Sequence, residues 1–192
     1  KEYKRDVVDY LIEEYREGRT PNPDVMCNSA VKFGAFLDFA KKQGADYIAT
    51  GHYARRIPTD GSVELHEGVD ADKDQSYFLW TLTQDALAHA LFPVGDLLKT
   101  NVREIAAAAG LPTARKKDSQ GICFLGMVEM TDFLSRYIPA HAGDVLDEKR
   151  QVIGTHRGAE FYTIGSRHGF TITNTRKSTH DVALYVLHKD IK

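Results

Sequence analysis

The chain opens with apolar residues at helical intervals, and its period changes twice before the end. Val7, Val8, Tyr10, Leu11 and Tyr15 follow the spacing of an amphipathic helix, with Gly18 as its stop. Pro21-Asn22-Pro23-Asp24 then predicts an irregular turn, because prolines and Asn/Asp interrupt regular helix or strand. A second helix follows, with Phe33, Phe36, Leu37 and Ala40 on one face and an end near Gly44. Tyr47-Ile48-Ala49-Thr50 reads as a short buried strand running into Gly51-His52. Helix, strand and a glycine at the strand's end is the rhythm of an α/β layer with a parallel sheet. Ligands bind such sheets at the carboxyl ends of the strands.

Residues 63–66 suggest a hairpin, and residues 74–80, 85–90 and 101–109 suggest helices, the last capped by Thr100 and closed by Gly110. Residues 113–126 have no clean period and read as a loop, and 131–137 as one more helix. After Pro139 the pattern changes. Residues 143–153 and 161–172 alternate apolar and polar side chains with glycines at turn positions, which predicts short antiparallel strands. A last strand-like run covers 182–187. The expected fold class is therefore α/β, with residues 1–139 forming a parallel-sheet domain with a helical insertion and 140–192 a small β-rich domain. The chain begins at Lys1 in mid-helix and ends just after a strand-like run, so we expect it to be incomplete.

Composition narrows the classes. With 192 residues, 42% hydrophobic and 27% charged, the chain is ordinary globular material. No apolar run approaches the ~18 residues that would suggest a membrane span, and no signal peptide opens it. The expectation is a cytoplasmic protein without membrane partners. A net charge of −2, without interleaved aromatic and basic residues, argues against a plain RNA-binding module. The portion from Asp147 onward is mildly basic, which fits either a nucleic-acid partner or a solvated surface.

Two cysteines, Cys27 and Cys123, with no Cys-x-x-Cys, do not make a zinc site. Two readings stay open for them. They are small buried hydrophobes, as most cytosolic cysteines are. Or they are activated thiols: Cys27 just ahead of a helix, where a helix N-terminus favours the thiolate, and Cys123 behind Arg115, Lys116 and Lys117. Asp24, three residues before Cys27, is a turn cap or a proton-exchanging group beside a nucleophile. Lys73-Asp74-Gln75 is by default a charged helix start, and Gly51-His52 at a strand end is weak evidence for a nucleotide.

Together these segments resemble the tRNA-specific 2-thiouridylase family. The matching strings are GRTPNPDVMCN with KFG after it, ATGHYAR, DKDQSYFLW, LFPVGDLLKTNVREIA, KKDSQGICFLG and FYTIGSRHG, in the family's order. The resemblance implies a Rossmann-like, adenine nucleotide alpha-hydrolase-like domain. It implies ATP-dependent transfer of sulfur to C2 of the tRNA wobble uridine through an adenylylated uridine. Cys123 would carry a persulfide and Cys27 would act as nucleophile or resolving thiol. Asn22, Pro23 and Asp24 would contact the target base, with Asp24 an acid/base, and Lys73, Asp74 and Gln75 would contact tRNA. Gly51 would contact ATP, with His52 beside it as a specificity position. The implied partners are the tRNA anticodon loop and a persulfide-donating sulfur carrier protein. Mg2+ would accompany ATP, with no metal site in the protein itself.

The family's N-terminal Ser-Gly-Gly-x-Asp-Ser pyrophosphate loop does not occur in this chain, and Ser166 and His168 replace the expected Gln and Lys. We therefore expect these 192 residues to be inactive alone. The rival reading is a thiol–disulfide or sulfur-relay protein that uses Cys27 and Cys123 without ATP. It leaves Asn-Pro-Asp, Gly-His and Lys-Asp-Gln unexplained.

Overall fold

Helix α1 (Tyr10–Arg16) continues a wider, π-wound stretch at Lys4–Asp9. It stops where the pattern placed the stop. Gly18 adopts φ 72°, Gly18 N donates to Tyr15 O at 3.0 Å and Arg19 N to Glu14 O at 2.8 Å. These two bonds satisfy the last carbonyls of the helix, and the left-handed turn favours glycine.

The computed structural model describes residues 2–116, 129–173 and 183–191, and the chain divides into two compact units. One comprises Lys1–Val7 and Pro23–Gly126, the other Val8–Asn22 and Met127–Lys192.

In the first unit the helix begins at Pro23, inside the stretch whose composition predicted an irregular turn. Proline suits a first helical position, because the N–H it lacks would have no partner there. Helix α2 (Pro23–Met26), a π-wound segment at Cys27–Phe36 and helix α3 (Leu37–Lys42) follow one another without a break. Gly44, at φ 86°, closes the run. The π winding explains one departure from the expected apolar face. Phe33 and Leu37 are buried, but Phe36 is 54% exposed. Hydrogen bonds from i to i+5 place more residues in each turn and swing position i+3 away from i.

Strand β1 (Ile48–Ala49) follows. The hairpin of β2 (Ala54–Thr59) and β3 (Ser62–Glu67) turns through Asp60-Gly61, with Gly61 at φ 89°. Residues expected as helix at 74–80 form only a short 3-10 turn at Ser76–Leu79. Helix α4 (Gln84–Ala88) is capped by Thr83, whose Oγ1 accepts from Ala86 N at 3.2 Å. It ends early, because Ala90 and Leu91 form β4 (Ala90–Leu91), which pairs in parallel with β1. Helix α5 (Lys99–Ala108) starts before Thr100, so Leu98 is its cap residue, and no side chain caps it. Phe33, Leu37, Ile48, Leu79, Leu87 and Phe92 form the centre of the core.

The second unit packs α1 and helix α6 (Met130–Leu134) against a 3-10 turn at Ala159–Phe161. Leu11, Ile12, Tyr15, Leu134, Ile138 and Tyr162 are its buried apolar residues. Strands β5 (Gly143–Leu146), β6 (Val152–His156) and β7 (Thr171–Ile172) form an antiparallel sheet in the order 5-6-7, as the alternation predicted. The run expected as strand at 182–187 makes none over its described residues. Val186 exchanges two backbone bonds with the turn before β7, accepting from Gly165 N at 2.7 Å and donating to Ser166 O at 2.9 Å. No helix among the described residues is long and apolar enough to cross a membrane.

Candidate active site

The continuous helix over residues 23–42 is the spine of the site. Asp24 and Cys27, three positions apart, lie on neighbouring turns of its first half, where residues at that spacing are neighbours. Asp24 is half-buried, and Cys27 is 0% exposed. Cys27 is thus a full turn inside the helix rather than just ahead of it, with its side chain sealed from solvent. The next residue, Asn28, is also buried. Its Nδ2 donates to Phe78 O at 3.0 Å, and its Oδ1 accepts from Lys32 Nζ at 2.8 Å. One amide therefore ties the helix to the 3-10 turn and orders an ammonium beside it.

The parallel pair brings the second element. Ile48 N donates to His89 O at 2.9 Å and Thr50 N to Leu91 O at 3.0 Å, so β1 ends at Thr50-Gly51-His52. Gly51 is exposed, and a Cβ built there would meet nothing within 4 Å. Its own packing does not demand glycine, and the backbone lies open to an approaching group. His52 is buried between Phe33 and Phe92, with ring centroids 6.0 and 6.1 Å away, and shares a 2.8 Å hydrogen bond with Thr50 Oγ1 through Nδ1. Burial first, and the nearby Lys32 ammonium second, push the imidazole down to about 4. It is neutral at physiological pH.

Lys73-Asp74-Gln75 precedes the 3-10 turn that packs on α2 and on the Cys27–Phe36 segment. Asp74 and Gln75 serve that turn. Asp74 accepts from Gly68 N at 2.8 Å, Ser76 Oγ at 2.7 Å and Ser76 N at 3.3 Å. Burial works to raise its carboxyl, but the hydrogen bonds from Gly68, Ser76 and Gln75 outweigh it and hold the group below its ordinary value. Gln75 clamps Tyr53, accepting from its N at 3.1 Å and donating its own N to its O at 2.9 Å. Lys73 is exposed. Tyr77 and Trp80, on one side of the turn by their spacing, are 64% and 68% exposed.

The structure thus gathers Pro23, Asp24, Cys27, Gly51, His52 and the Lys73–Gln75 stretch in one unit, with Asn22 assigned to the other. Cys123 lies outside the described residues. Sequence reasoning missed Asn28, Lys32, Phe33 and Phe92. Asn28 carried a usable signal, since an amide beside a helical cysteine is a polar group that burial obliges to find partners. Among the described residues, no cluster of three or more His, Cys, Asp or Glu could hold a metal ion.

A parallel β-pair with an open glycine at its carboxyl end, joined in sequence to an antiparallel module, defines an α/β protein of the Rossmann-like class. Residues 1–127 match the family model described as tRNA methyl transferase HUP domain, and 131–192 that described as tRNA methyl transferase PRC-barrel domain. Among curated relatives, the tRNA-specific 2-thiouridylase MnmA of Akkermansia muciniphila is 52% identical over 191 residues, covering 100% of this chain and 53% of the relative. That of Klebsiella pneumoniae is 50% identical over 192 residues, covering 100% and 52%. That of Shewanella frigidimarina is 53% identical, covering 99% and 51%. The chain belongs to the tRNA-specific 2-thiouridylase family, and it spans about half the length of these relatives.

Proposed function

We propose that the protein thiolates tRNA, transferring sulfur from a cysteine persulfide to C2 of the wobble uridine at the expense of ATP. The observation that carries this reading is the pairing of Asp24 and Cys27 on one helix with the open Gly51 end of β1 in the same unit. A nucleotide site and a thiol site in one unit suit a reaction that first activates a base and then displaces the activated oxygen.

In this scheme the uridine O2 attacks the α-phosphorus of ATP and pyrophosphate leaves. The terminal sulfur of a persulfide on Cys123 attacks C2, and AMP leaves with the oxygen. The Cys27 thiolate then attacks the Cys123 sulfur, so that the new C2–S bond stays with the base. The residue is a Cys27–Cys123 disulfide, which an external thiol reductant must reopen. Asp24 exchanges the base's proton, and Asn22 and Pro23 help seat the flipped base. Gly51 presents backbone to ATP, with Mg2+ accompanying the nucleotide, and neutral His52 shapes the site as a hydrogen-bonding rather than a charged group. The exposed Lys73, Tyr77 and Trp80 offer a cation and planar faces to RNA, while Asp74 and Gln75 hold their turn in place. A persulfide-donating carrier protein supplies Cys123.

The test uses the full-length protein with unmodified tRNA, ATP and a persulfide source, read by nucleoside mass spectrometry. We expect 2-thiouridine that requires ATP and vanishes in Cys27→Ser and Cys123→Ser. In a parallel reaction supplied with a sulfonium methyl donor, a methylated nucleoside would instead favour the chemistry in the family models' description. Sulfur transfer without ATP would favour a simple relay.

A further inference from the structure

The second unit carries a small cavity that has no role in the scheme above. Its volume is about 80 Å³, room for a few waters or for one tetrahedral oxyanion. Arg157 and His168 line it together with the hydroxyl side chains of Thr131 and Ser166, and Tyr162 and Gly169 form part of its wall. None of the described residues lining it is a carboxylate.

The loop that supplies most of this lining is held in shape. Tyr162 is buried and its hydroxyl donates to Gly169 O at 2.6 Å. Gly165 and Gly169 take φ 86° and 102°, conformations that a side chain would strain. Ser166 Oγ accepts from Thr163 N at 3.1 Å, which uses a lone pair and leaves its proton to donate. An exposed guanidinium, two hydroxyls and an imidazole surround this concavity, and the described residues that line it supply donors without a carboxylate among them. A guanidinium fork matches phosphate oxygens in geometry as well as charge.

We infer that this cavity is a subsite for one phosphate group, with Arg157 as its principal ligand and Ser166 and Thr131 as hydroxyl donors. The phosphate is a backbone phosphodiester of the bound RNA, which positions the strand without reading its sequence. That assignment of the source rests on the tRNA reading above, whereas the oxyanion subsite does not.

Two arms separate them, both on the full-length protein. In the first, inorganic phosphate is titrated while the backbone amides of Ser166 and Gly169 and the Arg157 Nε–H are followed by NMR. In the second, unmodified tRNA binding is measured over a salt series for wild type, Arg157→Gln and Arg150→Gln, the last a cation on the β5–β6 turn outside the cavity. We expect phosphate to shift the cavity resonances in wild type and not in Arg157→Gln. We also expect Arg157→Gln to weaken tRNA binding about three- to tenfold and to flatten the salt slope by about 0.7–0.9, one phosphate contact, more than Arg150→Gln does. Phosphate shifts with an unchanged tRNA slope would keep the subsite and overturn the RNA source in favour of a free phosphate or nucleotide. A changed slope without phosphate shifts would reduce Arg157 to a surface charge and overturn the subsite, as would no effect in either arm. Absence of 2-thiouridine in the thiolation assay would refute that reading and leave the phosphate titration standing.

Discussion

Between pH 6.5 and pH 4 the buried imidazole of His52 should cost the fold stability, over a window whose width its surroundings set. His52 has an ordinary value of 6.5 and is pushed to about 4 by burial and by Lys32. In that window the unfolded chain binds a proton that the folded chain refuses. Stability is therefore fully present above pH 6.5 and is lost as pH falls through 4. Each unit of displacement is worth about 1.4 kcal/mol, so the whole shift amounts to roughly 3 kcal/mol, a large share of a typical domain's stability. Urea unfolding followed by circular dichroism at a series of pH values, for wild type and His52→Gln, would measure it. Carboxylates common to both proteins cancel in the difference. The wild-type minus His52→Gln curve should slope by about 1.4 kcal/mol per pH unit between the two values and flatten above the upper one. Lys32→Met removes the second cause and should shift the lower end of the slope upward. A flat difference curve would refute the argument, because it would mean that the imidazole ionises as readily between Phe33 and Phe92 as it does in water.

Two further outcomes follow from the same core. Phe33→Ala should destabilise the protein by about 3–5 kcal/mol in urea or thermal unfolding. It should also raise the His52 value, since the ring it removes is one wall of the imidazole's dry pocket. Cys27, fully buried, should react with iodoacetamide at least about tenfold more slowly in the folded protein than in urea, read by mass spectrometry of the modified peptide. Equal rates would show that the helix opens freely in the resting state.

Periodicity located what depends on local backbone chemistry. The Gly18 and Gly44 stops and the alternating strands beyond Pro139 could be read because each has a residue-level cause. What failed depended on partners distant in sequence. Ala90 and Leu91 join a strand because β1 lies beside them, although their own pattern continues a helix. Residues 74–80 form only one 3-10 turn, and Asp74 and Gln75 at its start are drawn back to Gly68 and Tyr53. Thr100 is an acceptable cap residue, but Lys99 N already donates to Asp70 Oδ2 at 2.8 Å, and the helix starts earlier.

At the site, the structure puts Cys27 in a different place from the one on which its sequence argument relied. Composition placed it just ahead of a helix, where exposed N–H groups favour an anion. Pro23 instead starts that helix, so Cys27 stands a full turn inside it, and the dipole's effect falls off within the turn that precedes Cys27. Activation by the helix end therefore applies better to whatever approaches Asp24 than to the thiol behind it. A Cys27 that must attack a disulfide needs its cover moved at that step. Asn28, the next residue along, joins the helix to the Ser76–Leu79 turn through Phe78 O. Losing that bond unties the helix from the turn, so Asn28→Ala should speed Cys27 alkylation, read by mass spectrometry of the modified peptide.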